Sequence, residues 1–428
     1  MLRSMNEMRR RHALYVLGFV LAVGGSCSGG GANRPIDRGA MEALDHDTQR
    51  VAPHDEPAAA FESKPVAART LPPLEDPLRL RLVQGYQRAG AAAGITVVPD
   101  ERLDRAMDDL ARSLDDGEDP RSETVEFLLG FHGIIEPYPE LLLFDANPQG
   151  YDQQLARVLA SPKLPRAGVV TVGVGIDASR TVHKIVVALQ EKYLDLAPVA
   201  RLQPSGAAFE LVGSLLGSFS SPTVYVTVPN GVPSERPLRT DGMAFRAPVA
   251  CDRGDGHYQV EVFGSDASGP RVLANFTVFC GVEAPGFLPG RGGFVPERIA
   301  ADEAERQLFA LINKARATAG LPALAFDPAL AGVARAHSSD MLINDYIAHI
   351  SPTTGSPADR VAKAGIDVDR LAENIGTSSS PEELHQGLMR SPGHRAAILD
   401  RKATSVGVGV VVPLADQHYR VVGTELFR

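Results

Sequence analysis

Residue types that often carry enzyme chemistry are present in this chain, but the short signatures that arrange them are absent. The sequence has 11 His and 3 Cys among its 428 residues. It contains no HExxH segment, which would place two zinc-binding imidazoles on one helix face, and no GxSxG nucleophile elbow. Two GVG runs, Gly173–Gly175 and Gly407–Gly409, lack the third glycine and the following helix of a dinucleotide-binding turn. We interpret both as strands that another backbone approaches closely.

The three cysteines predict two different uses. Cys27 follows a basic patch, a short apolar run over residues 13–23 and small residues, an order typical of a secretory signal peptide. This position resembles a bacterial lipoprotein processing site, although the usual aliphatic residue three positions earlier is a glycine. We predict residues 1–27 as a signal peptide with lipid on Cys27; plain cleavage or an uncleaved anchor is the alternative. Cys251 and Cys280 are then free to form a disulfide, or else are two buried thiols.

Charge and composition exclude some partners. The formal net charge is −9, and the predicted signal peptide is basic, so the mature chain is more acidic still. An acidic protein repels nucleic acid, so we expect no nucleic-acid partner. Trp is absent and aromatic residues are 6% of the chain, which argues against a groove built on aromatic stacking.

Composition divides the rest of the chain into regions. Residues 28–75 are rich in Gly, Ala and Pro and predict a disordered tether. Residues 76–192 alternate helix and strand patterns, whereas residues 200–285 carry strand patterns only. We expect 200–285 to be a small all-β sandwich resembling bacterial immunoglobulin-like modules, stabilised by a Cys251–Cys280 disulfide. A Gly- and Pro-rich linker over 286–300 precedes the last region, 301–428.

Residues 301–428 carry clear helix signals followed by two strand patterns. Asp327 and the following proline open a helix in which His337 shares a face with Leu330, so we expect a buried core histidine. Ser380 and Glu383 have the spacing of a capping box at the start of a later helix. Helices followed by an antiparallel strand pair predict a layered α+β domain.

The same region resembles the CAP superfamily (cysteine-rich secretory protein, antigen 5 and pathogenesis-related proteins, also called the SCP domain), in its cysteine-poor bacterial branch. The segments that carry the resemblance occur in the family order: LINKARATAGLPAL, ALAGVARAHSSDM, YIAHISPTTGSPADRVAKAG, LAENIG, LMRSPGHRAAIL and SVGVGVVV. The resemblance implies an α-β-α sandwich.

The resemblance also implies a central cleft lined by two His and two acidic residues. Carried over by motif, AHIS gives His349, AENIG gives Glu373 and SPGHR gives His394. The second acid has no matching residue. Glu382 or Glu383 could take its place, but Glu383 has a simpler use as the capping-box partner of Ser380. His337 is at most adjacent to the cleft.

Two imidazoles and one carboxylate can bind a divalent cation such as Zn²⁺ and leave an open coordination position. His394 falls in the first turn of its helix, where the positive end of the dipole disfavours the imidazolium. A neutral imidazole is the form that binds a metal or acts as a general base. The candidate catalytic set is therefore His349, Glu373 and His394, with His349 and His394 as metal ligands. The alternative is a hydrogen-bonded network without chemistry.

An earlier part of the chain is similar to this region. The segment QRAGAAAGITVVPDERLDRAMDDLARSL aligns with KARATAGLPALAFDPALAGVARAHSSDML, and TVGVGIDASRTVHKIVVAL aligns with SVGVGVVVPLADQHYRVVGTEL. We infer that residues 76–192 form a second, degenerate CAP-like α+β domain. His337 corresponds there to Leu110, no ENIG segment is visible, and His132 is the sole candidate survivor of the site, more simply explained as structural.

Three functions remain open. The first is a binding or scaffolding lipoprotein at the cell envelope, extracytoplasmic and held to the membrane by its lipid or else secreted. Its partner would be an unknown protein, a peptidoglycan-associated molecule or a lipid. The second is a metal-assisted, peptidase-like hydrolase that uses His349, Glu373 and His394. The third, lipid or sterol binding, is implied only by the family.

Overall fold

The computed structural model describes residues 50–61, 76–160, 162–165, 168–229, 231, 233–413 and 421–428. These residues form a mixed α/β structure with several hydrophobic cores. The predicted signal peptide and Cys27 lie outside the described residues, as does most of the predicted tether. No helix in the described part of the chain is long and apolar enough to cross a membrane.

Part of the predicted tether is folded. Residues 50–61 contain strands β1 (Arg50–Val51) and β2 (Ala60–Phe61), which pair with strands distant in sequence. Phe61 is 1% exposed, and its ring centroid lies 4.8 Å from that of Phe276. Burying an aromatic ring holds this segment against the rest of the protein. The expectation of disorder over 28–75 is therefore wrong for residues 50–61.

The N-terminal domain has helices on both faces of a four-stranded sheet. Its elements are α1 (Pro77–Ala93), β3 (Thr96–Pro99), α2 (Glu101–Ser113), β4 (Asp119–Pro120), α3 (Ser122–Phe131), β5 (Glu140–Ala146), α4 (Tyr151–Ala160), β6 (Val169–Asp177) and β7 (His183–Glu191). The sheet order is β3-β6-β7-β5, with β3 parallel to β6 and the other pairs antiparallel.

Two glycines let α2 lie directly on this sheet. A Cβ added to Gly173 would lie 2.4 Å from the Leu103 side chain, and one on Gly175 would lie 2.1 Å from the backbone of Met107. The first GVG run is therefore a strand under close backbone approach, as predicted.

A pair of sheets with one shared core follows the N-terminal domain. Its strands are β8 (Leu194–Leu196), β9 (Val199–Ala200), β10 (Leu202–Gln203), β11 (Ala208–Leu215), β12 (Ser220–Thr227), β13 (Pro233–Arg236), β14 (Arg239–Asp241), β15 (Ala244–Ala250), β16 (Gly256–Asp266) and β17 (Gly269–Cys280). The sheet orders are β10-β17-β16-β12-β13 and β14-β15-β11-β8. Cys251 and Cys280 form a disulfide, with Cα atoms 5.8 Å apart, so this predicted pairing is confirmed.

The middle of the predicted linker, residues 288–294, is hydrogen-bonded to the N-terminal part of the chain. It contains β18 (Leu288–Pro289), which pairs with β1, and β19 (Gly293–Phe294), which pairs with β4. The backbone N–H of Arg121 also donates to the carbonyl of Gly292 at 3.0 Å.

The C-terminal domain repeats the sheet order of the N-terminal one. Its elements are α5 (Ala301–Thr318), β20 (Ala325–Phe326), α6 (Pro328–Ile343), α7 (Pro357–Lys363), β21 (Ala372–Ser378), α8 (Pro381–Arg390), α9 (Pro392–Ile398), β22 (Ser405–Val411) and β23 (Val421–Phe427). The sheet order is β20-β22-β23-β21, with β20 parallel to β22 and the other pairs antiparallel. Helices α5 and α8 pack on one face and α6 on the other.

The start of α6 follows the sequence signals closely. Asp327 accepts hydrogen bonds from the backbone N–H groups of Ala329 and Leu330, so it caps the helix as predicted. A Cβ on Gly409 would lie 2.0 Å from the backbone nitrogen of Arg335, which places α6 directly on β22.

Candidate functional site

The ring of His349 is held by a buried carboxylate. This residue lies in the loop between α6 and α7, and its Nδ1 is 2.9 Å from Oε1 of Glu373 on β21. The guanidinium of Arg360, in α7, donates to the carbonyl of His349 at 3.0 Å and to Oε2 of Glu373 at 2.6 Å. One buried cation therefore fixes both the loop and the carboxylate.

The charge state of Glu373 follows from these contacts. Burial alone would raise its pKa, but the hydrogen bond from His349 and the charges of His349 and Arg360 outweigh burial and hold the pKa below its ordinary value. A charged carboxylate accepts the proton on Nδ1 of His349. When this ring is neutral, its Nε2 therefore carries a lone pair and remains for a ligand.

His394 is also held at Nδ1, but by a hydroxyl group. Its Nδ1 lies 2.7 Å from Oγ of Ser391 at the start of α9. Burial, and then the neighbouring His349, lower the pKa of His394 to about 3. The sequence predicted a neutral imidazole from the helix dipole, whereas burial is the largest cause in the structure.

His337 lies beneath this pair. It is 1% exposed, so the buried position predicted from helical spacing is confirmed. Its Nε2 lies 3.1 Å from the carbonyl oxygen of Ala348 and 4.0 Å from Oε1 of Glu373. Its Nδ1 is buried with no hydrogen-bond partner among the described residues. Burial lowers the pKa of His337, which keeps a neutral ring below the His349 loop.

His349 and His394 line one pocket of about 260 Å³. The other walls come from the N-terminal domain and from the β16–β17 hairpin. The hairpin rests on the His349 loop, because the carbonyl of Ser268 accepts the backbone N–H of Ile350 at 2.9 Å. Gly269 has a φ of 103°, and a Cβ there would lie 3.2 Å from the Cβ of His349. The pocket is therefore built by three parts of the chain.

Comparison with known sequences identifies the domain that carries the two histidines. The sequence model of the cysteine-rich secretory protein family, CAP, matches residues 309–423. Residues 309–423 are a CAP domain.

Two proteins of Bacillus subtilis (strain 168) are similar to this CAP domain. The uncharacterized protein YkwD is 41% identical over 108 residues, which are 25% of this chain and 42% of YkwD. The uncharacterized membrane protein YlbC is 35% identical over 130 residues, 28% of this chain and 37% of YlbC. The chain thus spans less than half the length of either relative.

Solved structures with a CAP-type domain are also similar to the chain. An extracellular protein containing a SCP domain from Bacillus anthracis str. Ames shares 22% identity, with a TM-score of 0.27, over 51% of this chain and 81% of that one. A cysteine-rich secretory protein of Staphylococcus aureus subsp. aureus Mu50 shares 14% identity, with a TM-score of 0.25, over 55% of this chain and 82% of that one.

Glu383 does not belong to the CAP cleft. Ser380 accepts the backbone N–H of Glu383 at 3.2 Å, which is half of the predicted capping box. The carboxylate of Glu383 instead accepts the backbone N–H of Ser122 at 2.7 Å and its hydroxyl at 2.8 Å, and pairs with Arg121 at 3.4 Å. The expectation that it returns to Ser380 is therefore wrong, because the start of α3 offers this buried carboxylate several donors. Glu382 is exposed.

His132 in the N-terminal domain has a structural environment. It is buried, and its Nε2 lies 2.9 Å from Oδ2 of Asp109, which also binds Arg112. This closed network lies outside the pocket of the CAP domain.

Sequence patterns alone do not reveal the sandwich's contribution to the CAP site. Glu261 and Phe263 on β16 meet the start of α9, where the carboxylate of Glu261 accepts the backbone N–H of Gly393 at 2.9 Å. Burial raises the pKa of Glu261 to about 8.

The donor set for a metal is smaller than the sequence suggested. Both carboxylate oxygens of Glu373 are engaged, one by His349 and one by Arg360, which leaves the Nε2 atoms of His349 and His394. Among the described residues, no three His, Cys, Asp or Glu side chains form a group that could hold a metal ion. Divalent-cation binding by His349 and His394 stays a prediction.

Proposed function

We propose that this chain is an extracytoplasmic binding protein whose CAP domain, closed by the sandwich and the N-terminal domain, holds a small polar ligand. The observation that carries this proposal is the shared pocket: His349 and His394 line it together, with their Nδ1 atoms already bound. Its volume of about 260 Å³ is below the roughly 300–1,000 Å³ of pockets for drug-sized ligands. A small ligand fits this volume better than a sterol does.

Binding suits the contacts better than hydrolysis does. A general base needs a free electron pair within reach of its substrate. Each oxygen of Glu373 already accepts a hydrogen bond, one from His349 and one from Arg360, so this carboxylate is less available as a base than an unpaired one. The metal-assisted hydrolase remains the second candidate, since two imidazoles that line one pocket are suitable zinc ligands.

Calorimetry on the full mature chain separates these candidates. ZnCl₂ and a dipeptide library are titrated into the wild type, His349→Gln, His394→Gln and His257→Gln; His257 is exposed on the sandwich and serves as the matched control. We expect a probe to bind more tightly than millimolar and to lose about tenfold affinity in the first two variants only, the size of one lost hydrogen bond. Equal affinity in all four proteins, or no binding, refutes the proposed pocket. Zinc binding followed by peptide cleavage would favour the hydrolase.

We also propose that the N-terminal domain is a degenerate CAP-like copy. Strand register supports this. In the N-terminal sheet Gly173 pairs with Ala188, and Ala188 pairs with Leu141 on the edge strand. In the CAP sheet Gly407 pairs with Leu426, and Leu426 pairs with Glu373 on the edge strand. The position of the CAP carboxylate is therefore occupied by Leu141.

A buried ion pair supports the same alignment. In the N-terminal domain Arg79 of α1 donates to Asp108 of α2 at 3.0 Å, and Asp108 accepts the N–H of Ile176 at 2.7 Å. In the CAP domain the helix charges are exchanged: Arg335 of α6 pairs at 2.6 Å with Glu305 of α5. Glu305 accepts the equivalent strand N–H, from Val410, at 3.0 Å. In both domains a carboxylate therefore accepts the N–H at the same strand position. That carboxylate lies on the second helix, α2, in the N-terminal domain and on the first helix, α5, in the CAP domain.

We further propose that the chain is a lipoprotein anchored through Cys27, with the residues after it as the connection to the folded part. The support is the order of basic, apolar and small residues before Cys27. Mass spectrometry of the mature N-terminus tests this. A diacylated Cys27 is expected, whereas an unmodified Cys27 or a different mature start refutes it.

A further inference from the structure

A second cavity, of about 310 Å³, lies between helix α3 and strands β16 and β17 of the sandwich. Among the described residues, it shares only Pro137 and Tyr138 with the pocket of the two histidines. Two charged side chains in its lining, Arg201 and Glu136, are buried, at 3% and 5% exposed. We call it the Arg201 cavity. Buried polar groups need hydrogen-bond partners, so the contacts of these two side chains indicate what the cavity can hold.

Arg201 is a buried cation with few polar contacts. Its Cζ lies 5.5 Å from the ring centroids of both Phe131 and Phe279. Its Nη1 donates to the carbonyl of Phe131 at 3.3 Å, and its Nε has no hydrogen-bond partner among the described residues. Burial lowers the pKa of Arg201, and no carboxylate in the described part of the chain raises it. Aromatic rings stabilise a cation, but they provide no lone pair for its N–H donors.

The other buried arginines of the described chain have stronger partners. Arg79, Arg102 and Arg360 each donate to a carboxylate, at 3.0, 2.7 and 2.6 Å. Arg316 instead donates to three backbone carbonyls at 2.8 to 2.9 Å. Arg201 has one such bond, at 3.3 Å. Burying an unpaired charge is unfavourable, so Arg201 is suited to pair with an anion that enters the cavity.

Glu136 adds a buried acceptor to the same cavity. Its Oε1 has no hydrogen-bond partner among the described residues. Burial raises the pKa of Glu136 to about 7, although the charges of Arg102 and Lys192 lower it. A positively charged N–H donor on a ligand would satisfy this oxygen and favour the charged carboxylate.

The remaining charges of the cavity disfavour a simple anion. Glu126 pairs with Arg390 at 2.5 Å, and Glu123 is exposed. A phosphate would therefore meet three glutamates in the lining and a single unpaired guanidinium. A zwitterion can instead place a carboxylate, which matches the planar guanidinium, at Arg201 and an ammonium group at Glu136. Aromatic rings in the same wall suit an apolar side chain: Phe61, Phe127, Phe276 and Phe279.

We propose that the Arg201 cavity binds a small amino acid with an apolar side chain, whose carboxylate pairs with Arg201 and whose ammonium group donates to Glu136. The site is separate from the proposed CAP pocket and does not depend on it. The sandwich supplies the cation and the N-terminal domain supplies the acid. These two domains then have a binding site of their own.

Calorimetry on the full mature chain tests this with three probes of similar shape. L-Leucine has both charges, L-leucinamide lacks the carboxylate, and 4-methylpentanoate lacks the ammonium group. We expect L-leucine to bind the wild type about tenfold more tightly than either of the others, the effect of one hydrogen bond to a charged group. No binding of L-leucine, or equal affinity for L-leucine and either other probe, overturns the proposal. Because this comparison uses the wild type alone, it does not require that any variant folds.

Variants then locate the bound amino acid. Arg201→Met should weaken L-leucine binding about tenfold, whereas Arg253→Met, at an exposed arginine of the sandwich, should not change it. Glu136→Gln should weaken the binding of L-leucine but not of 4-methylpentanoate. His349→Gln, in the CAP pocket, should leave L-leucine binding unchanged.

Loss of L-leucine binding in His349→Gln but not in Arg201→Met would place the amino acid in the CAP pocket and overturn this inference. Full affinity in Arg201→Met would overturn it as well. L-Leucine binding that follows the expected pattern, in a chain whose CAP pocket binds no probe, would instead refute the proposed function alone.

Discussion

Exchanging the charges of Arg79 and Asp108 should give the N-terminal domain the ion pair of the CAP domain. Both side chains are nearly buried, at 7% and 12% exposed, and Asp104 lies 3.8 Å from Arg79. Arg79→Glu alone brings a third carboxylate beside two others, and breaking a buried pair costs about 3–5 kcal/mol. Asp108→Arg alone leaves two cations together and also removes the acceptor of the Ile176 amide. The double variant should be less destabilised than the sum of the two single variants, by a coupling of about 2–3 kcal/mol.

Native-state hydrogen exchange of the β6 peptide, residues 169–177, is the suitable assay. A chain with several cores is not expected to unfold in one transition, so a global midpoint would mix domains. Because the Ile176 amide is in this peptide, its opening free energy reports the exchanged pair. The matched control is the exposed pair Arg81–Asp152, 2.7 Å apart, where the same exchange should change stability by less than about 1 kcal/mol. A double variant no more stable than the sum of its singles would refute the equivalence of the two domains.

Three further predictions concern stability. Gly409→Ala should lower the opening free energy of the β22 peptide, measured by native-state hydrogen exchange, by about 1–3 kcal/mol, because its Cβ would meet backbone at 2.0 Å. Gly332→Ala, with open space around it, should be neutral or stabilising. Burial raises the pKa of Glu425 from 4.5 to about 7, so the folded state keeps a proton that the unfolded state loses. Stability of the CAP domain should therefore fall as pH rises through this interval. Glu425→Gln should make the opening free energy of the β23 peptide, measured by native-state hydrogen exchange, less pH-dependent; an unchanged pH dependence would contradict this. Reducing Cys251–Cys280, 29 residues apart, should destabilise the sandwich by about 3–4 kcal/mol. Hydrogen exchange of the β16 and β17 peptides that does not change with reductant would contradict this prediction.

Local signals in the sequence were sufficient for the helices and the last two strands of the C-terminal domain, but not for strands β20 and β21. Asp327 followed by proline marks a helix start, and apolar spacing places His337 on the buried face, because capping and periodicity act within one element. The disulfide was likewise predictable from the number of cysteines. The site residues His349 and Glu373 came from family motifs, and the structure places them in contact at 2.9 Å.

Contacts between domains could not be predicted in this way. In the β16 segment HYQVEVFG, Glu261 alternates with buried Val260 and Val262, so its pattern indicates a solvent-facing carboxylate. It is buried because α9, more than 100 residues later, covers that face. The capping spacing of Glu383 failed for the same reason, since Ser122 is a distant donor. Phe263, an aromatic on the outward face, was the one available signal of a covered surface.

The paired glycines of β6 and β22 determine which positions of such a chain tolerate substitution during evolution. At Gly173, Gly175, Gly407 and Gly409 a helix backbone lies where a side chain would be, so almost any substitution displaces a whole helix. Pocket residues have no such constraint, and under the proposed duplication Leu141 stands where the CAP domain has Glu373. In a duplicated domain that no longer binds a ligand, the sequence should change fastest at the former binding residues. It should change slowest where a helix backbone contacts a strand backbone. Common ancestry of two such domains should therefore be detected most easily at these glycine positions.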